Sequence, residues 1–216
     1  LQRFGVVTVG DLAALGEHVL VGSLGKASGR HLHRLAHALD DRDVEPNRGY
    51  KSIGHEETFA HDLHERGELW KEVVRLSDGV GSRLRQHGVA ARTVTLKVRF
   101  ASFSTITRSV TPATPVSTGP AIAKAVAPLL DGIDPGPGVR LIGVTGSNLC
   151  EPAEQLGLFS DGAEVDGALW TDVSAAIDDI RERFGTTAIG PASTLRHGGL
   201  RPLRRGEQQW GPDAPR

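Results

Sequence analysis

A chain of 216 residues suffices for one large domain or two small ones, and 38% apolar with 24% charged residues is the balance of a soluble globular protein. A single cysteine, Cys150, excludes an internal disulfide framework and fits a reducing cytoplasm, and no apolar run approaches the roughly 18 residues of a membrane span. The net charge of −1 conceals a segregation: Gly79 to Leu130 holds no Asp or Glu but carries Arg83, Arg85, Arg92, Lys97, Arg99, Arg108 and Lys124. From Cys150 to Glu182 the balance inverts, with nine acids against Arg181 alone. A positive middle and a negative tail suggest a polyanion-binding domain followed by a segment with a different role. The chain has no methionine, so Leu1 is not expected to be a translation start.

Residues 5–39 read as short helices with tight turns. Thr8 to Leu12 offers a helix start, and Gly25-Lys26-Ala27-Ser28-Gly29 is a turn signal before a helix with Leu32, Leu35, Ala36 and Leu39 on one face. Residues 41–50 have linker composition, which sets a boundary between a first domain over 1–40 and a second over 51–149. In the second, residues 51–59 predict a strand, and 62–87 a helix carrying Leu69, Trp70, Val73, Leu76, Val80 and Leu84, with Gly88 past its end. Over 92–100, Val94, Leu96, Val98 and Phe100 alternate with Thr93, Thr95, Lys97 and Arg99, the period-2 pattern of a half-buried strand with a polar, basic outer face. A second strand follows over 105–111, a helix starts at Thr118-Gly119-Pro120, and Val139 to Thr145 predicts a fourth strand.

The order β-α-β-β-α-β predicts an α+β fold: a small helical domain, then an antiparallel sheet with two helices on one face, then a helical tail. The tail divides into an exposed segment over 150–160, one helix within 161–195 on the stripe Leu169, Trp170, Val173, Ile177, Ile180 and Phe184, and a Pro-, Arg- and Gly-rich end over 196–216 with little to bury.

Several strings resemble the C-terminal part of Y-family translesion DNA polymerases of the DNA polymerase IV (DinB) type. Phe4 to Ala13 and Gly25 to Asp40 are similar to the thumb of that family. Lys51-Ser52-Ile53-Gly54-His55-Glu56-Glu57-Thr58-Phe59 resembles the start of its little finger, and Thr93 to Val110 the central hairpin. Phe184-Gly185 through Ala192-Ser193 resembles the tail of actinobacterial-type members.

The resemblance implies a helix–hairpin–helix in residues 1–40 that holds duplex phosphates. Gly25, Lys26, Ser28 and Gly29 suit such a grip, since glycines let backbone approach, a helix N-terminus offers free donors, and Lys26 adds charge. It also implies a little finger lying along the DNA backbone, with Lys51, Ser52, Thr93, Thr95, Lys97, Arg99, Thr105, Thr107, Arg108 and Ser109 as contact residues. Hydroxyls and cations suit phosphate contact without sequence reading. Arg108 shares the parity of Ile106 and Val110, so its direction stays open.

Glu154-Gln155-Leu156-Gly157-Leu158-Phe159 resembles the pentapeptide by which bacterial polymerases hold the sliding clamp, the beta subunit of DNA polymerase III. Leu158 and Phe159 would fill an apolar cleft, with Gln155 and Leu156 beside them. His33 and His37 are four apart and His61 and His64 three apart, but no third ligand completes a metal site. The carboxylates that hold Mg²⁺ in the intact polymerase belong to the family's palm, which precedes the thumb, so no catalytic residue and no cofactor is expected in this chain. The expected function is the DNA-gripping, clamp-tethered part of a cytoplasmic, monomeric repair polymerase acting on primer–template DNA. The alternative is a non-catalytic accessory scaffold bound to the clamp.

Overall fold

The computed structural model describes residues 1–43, 49–152, 162–195 and 199–200, with the backbone alone over 162–168. They fall in two compact units, Leu1–Gly49 and Tyr50–Arg216.

The first unit is helical: α1 (Val9–Ala14), α2 (Glu17–Leu24) and α3 (Lys26–Ala36). Thr8 caps α1 as the sequence suggests. Its hydroxyl accepts from the Asp11 N–H at 3.1 Å while the Asp11 carboxylate accepts from the Thr8 N–H at 2.8 Å, a reciprocal capping box. Backbone hydrogen bonds to that carboxylate hold Asp11 below the usual carboxylate range. Helix α3 begins one residue after Gly25, earlier than the turn signal implies, and ends before Leu39, which is exposed.

The second unit carries β1 (Ser52–Leu63), α4 (Arg66–Gln86), β2 (Ala90–Phe100), β3 (Thr105–Val110), α5 (Gly119–Asp131), β4 (Val139–Cys150) and α6 (Gly162–Phe184). The four strands form one sheet in the order β1-β4-β2-β3, and every neighbouring pair is antiparallel. Helices α4 and α5 pack on each other and on the sheet. Leu69, Val73, Leu76, Val80 and Leu84 of α4 meet Ile122, Val126 and Leu130 of α5, over Val94, Leu96 and Val98 of β2 and Ile142 and Val144 of β4. All of these are buried, which is the α+β core that the alternation of helix and strand periods predicts. Among the described residues, the buried charged side chains are Glu72 and Arg75 of α4, with half-buried Glu57 of β1 beside them. Arg75 donates to Glu72 at 2.9 Å and to Glu57 at 3.2 Å, so neither carboxylate is left bare.

Three expectations need correction. The fourth strand runs to Cys150 and not Thr145, because the ladder to β2 continues through Ser147, Leu149 and Cys150. The first strand likewise continues to Leu63, past a register shift after Thr58, so α4 starts at Arg66 and not at 62. Helix α6 buries its apolar stripe only in part, at half-buried Ile177 and Ile180. It docks on α4 through its polar side, where Ser174 is buried and Asp178 accepts from Ser82 at 2.8 Å and Arg85 at 2.8 Å. Arg181 donates to Asp78 at 2.6 Å and to the Ile189 carbonyl at 3.0 Å. Leu169, Trp170, Val173 and Phe184 remain exposed.

Candidate nucleic-acid interface

Helices cover one side of the sheet, and the pleat sends alternate side chains to the other. Residues opposite each other in an antiparallel ladder point to the same face. The registers therefore generate four outward rows that run across the sheet. Ser52, Ser147 and Thr93 form the first row, and Gly54, Thr145, Thr95 and Ser109 the second. Glu56, Gly143, Lys97 and Thr107 form the third, and Thr58, Leu141, Arg99 and Thr105 the fourth.

Hydroxyls dominate this surface. Thr95 and Ser109 share a hydrogen bond of 2.8 Å, and Arg99 Nε donates to the Thr105 hydroxyl at 2.9 Å. Ser52, Thr105, Thr107 and Ser109 are exposed, while Thr93, Thr95, Lys97 and Arg99 are half-buried between neighbouring strands. Leu141 is 3% exposed yet lies outside the core cluster, flanked in its row by Thr58 and Arg99. Lys51 is exposed just before β1.

The register also settles Arg108. It pairs with Leu96, an inward position, and its guanidinium lies beside Gly132 at the end of α5. Arg108 therefore belongs to the helix side of the sheet, unlike Thr105, Thr107 and Ser109. The acid-free run from Gly79 to Leu130 does not make one basic patch either. Arg83 reaches from α4 to the Gly54 carbonyl at 2.7 Å, and Arg85 is spent on Asp178 and on the Ser117 carbonyl at 2.8 Å. Of the seven cations in that run, Lys97 and Arg99 are the two in the outward rows.

Sequence reasoning missed four outward residues: Glu56, Thr58, Thr145 and Ser147. Glu56 changes the electrostatics most. Its carboxylate accepts from Lys97 Nζ at 2.7 Å, reaching over the middle strand at Gly143. The period-2 pattern Thr145-Gly146-Ser147 was the readable signal for the other outward hydroxyls.

In the first unit, Gly25 has φ +81 and lets α2 turn into α3 within one residue. No side chain caps α3, so the exposed first turn at Lys26 and Ser28 presents backbone donors together with the Lys26 charge. Gly29 has a different role from the phosphate approach inferred for it. It is buried against α2, and a side chain there would meet the Val21 nitrogen at 2.5 Å. What it permits is close helix packing.

A cavity of about 210 Å³ on the helix side is lined by His55, Arg75, Arg83, Asp78, Arg181 and Ile189, among others. Burial, with the charges of Arg83 and Arg75 adding to it, pushes the His55 imidazole below its ordinary value of 6.5. Among the described residues no three His, Cys, Asp or Glu side chains gather so as to hold a metal ion, and no helix is long and apolar enough to cross a membrane. The proposed clamp ligands Gln155, Leu156, Leu158 and Phe159 lie outside the described residues.

The model of the impB/mucB/samB family C-terminal domain matches residues 50–158, which takes in the whole sheet and both covering helices. The chain belongs to this family. Among its relatives, a DNA polymerase IV of Streptomyces coelicolor is 43% identical over 163 residues, which cover 76% of this chain and 34% of that protein. A DNA polymerase IV of Caulobacter vibrioides is 37% identical over 196 residues, covering 91% of this chain and 48% of that protein. The chain thus spans less than half the length of these two relatives. A solved complex of the beta-clamp processivity factor and the little finger domain of PolIV is similar over 50% of this chain and 99% of that one, at 25% identity and a TM-score of 0.40. The family's domain is thus the second unit without its tail, and the relatives of the chain are polymerases of the DNA polymerase IV type.

Proposed function

We propose that this chain is the DNA-gripping and clamp-tethered C-terminal part of a DNA-directed DNA polymerase for translesion synthesis and repair. The observation that carries the reading is the open face of the sheet: four rows dominated by hydroxyls, with Lys97 and Arg99 as its cations. Such a surface lies along a phosphate backbone, donates to it, and presents no set of base-reading side chains. The uncapped start of α3 adds a second phosphate-binding element from Gly25, Lys26 and Ser28. Primer–template DNA is the ligand both elements suit. Mg²⁺ and its carboxylates belong, on this reading, to the polymerase's palm, and the described residues contribute grip rather than chemistry.

The clamp tether is the segment from Gln155 to Phe159, directly after Glu151-Pro152-Ala153-Glu154, which follow the last strand in sequence. Two adjacent large apolar residues, with Gly157 before them and Asp161 soon after, suit a short ligand for an apolar cleft.

Binding of the chain to a fluorescent primer–template, followed by anisotropy across a salt series, tests the grip. Replacing Lys97 and Arg99 with Ala should weaken binding to the same extent on unrelated sequences and flatten the salt slope by up to about two units. Affinity that does not change between low and physiological salt refutes the reading.

A further inference from the structure

Lys97 is not free to meet a phosphate. Its ammonium sits 2.7 Å from the Glu56 carboxylate, and both side chains are partly open to solvent, 33% and 40% exposed. The two residues stand on β2 and β1, which are not neighbours; β4 runs between them. Adjacent strands lie about 4.8 Å apart, so the pair bridges roughly twice that distance across the sheet. Gly143 is the residue of β4 beneath the bridge. A side chain at Gly143 would meet Glu56 Cβ at 2.9 Å, so the bare position is what lets the two chains close over it. One row away Arg99 donates to a hydroxyl and has no carboxylate in its row.

We propose that Glu56 restrains the DNA grip by holding Lys97 in the free chain and yielding it only in exchange for a phosphate. The inference rests on the open face being the phosphate-binding surface. It assigns to the two cations of that face unequal parts. Arg99 is available at first contact, whereas Lys97 must leave an ion pair. The ion pair given up is subtracted from what the phosphate contact returns, so the grip is weaker and its release faster than a free Lys97 would give. A part that must slide along a template benefits from such a grip.

The full chain is tested on primer–template DNA in four forms: wild type, Glu56→Gln, Lys97→Ala and the double variant. Glu56→Gln should tighten binding by roughly two- to fivefold, the strength of an exposed ion pair. The gain should disappear in the Lys97→Ala background. Glu56→Gln combined with Arg99→Ala should keep it. Glu56→Ala serves as the second variant, and melting of each variant checks that the fold is intact. A wild-type chain that does not bind DNA defeats the functional reading itself. A wild-type chain that binds, with no gain from Glu56→Gln or with an equal gain when Lys97 is absent, overturns the inference alone. A variant that lowers the melting temperature and leaves binding unchanged makes the pair structural, which also overturns it.

Discussion

Gly29→Ala and Gly22→Ala make the same chemical change in neighbouring helices, and the structure gives them opposite signs. A Cβ on Gly22 meets nothing within 4 Å, so alanine there stiffens α2 at no steric cost and should stabilise it by about 1 kcal/mol. A Cβ on Gly29 would lie 2.5 Å from the Val21 nitrogen and 2.6 Å from Leu20 C and Val21 Cα. Carbon contacts are comfortable at about 3.5 Å, so α2 and α3 would have to separate by about 1 Å. The atoms met are backbone and cannot turn aside as a side chain could. Overpacking of this kind costs about 1–3 kcal/mol, against which helix propensity returns about 1 kcal/mol, leaving a net loss of up to about 2 kcal/mol. Separation would also uncover Leu20, the one residue of α2 that is fully buried. Amide hydrogen exchange over Glu17–Ala36 reads the effect locally, and a loss of about 2 kcal/mol is about a thirtyfold faster opening. Protection in Gly29→Ala equal to or above wild type would refute the close-packing role.

Two further outcomes are expected. The fold disfavours the charged form of His55, while the unfolded chain takes up a proton near the ordinary 6.5, so stability should fall as pH drops below about 6.5 toward the depressed value. His55→Gln should flatten melting temperature against pH between about 7 and about 5, and identical pH profiles for the two proteins would count against that environment. Replacing both Leu158 and Phe159 with Ala should abolish binding to a bacterial sliding clamp, expected at about micromolar strength, with little change in melting temperature. Unfolding of the second unit by that pair of substitutions would instead make the residues core.

Period and spacing carried the reading of the core. The alternation from Thr93 to Phe100 placed Val94, Leu96 and Val98 of β2 in the core, though not Ala90 and Ala91 before it, and the stripe from Leu69 to Leu84 gave α4, because burial of one face imposes its period on the sequence. The electrostatics of the open face was not legible. Glu56 lies far upstream of the acid-free run, and only the order β1-β4-β2 brings it within reach of Lys97. Charge runs describe a chain, whereas a patch is a property of a face, and α4 drew Arg83 and Arg85 away from the sheet surface. Helix α6 shows the converse limit. Its apolar stripe was read correctly as a stripe, but period alone does not say that the polar side, with Asp178 and Arg181, has the better partners.

The place of β1 in the sheet sets an order of events during synthesis. Its ladder partner is β4, with Ser52 against Ser147, and β4 is the last strand of the sheet that the ribosome makes. Until Val139 to Cys150 has emerged, β1 has no strand to pair with, and β2 and β3 can form only a two-stranded hairpin beside α4 and α5. A hairpin of that size is marginal by itself, and distant pairings close slowly. The unit therefore becomes cooperative in a single late step, and a nascent chain halted before β4 should remain a substrate for chaperones and proteases.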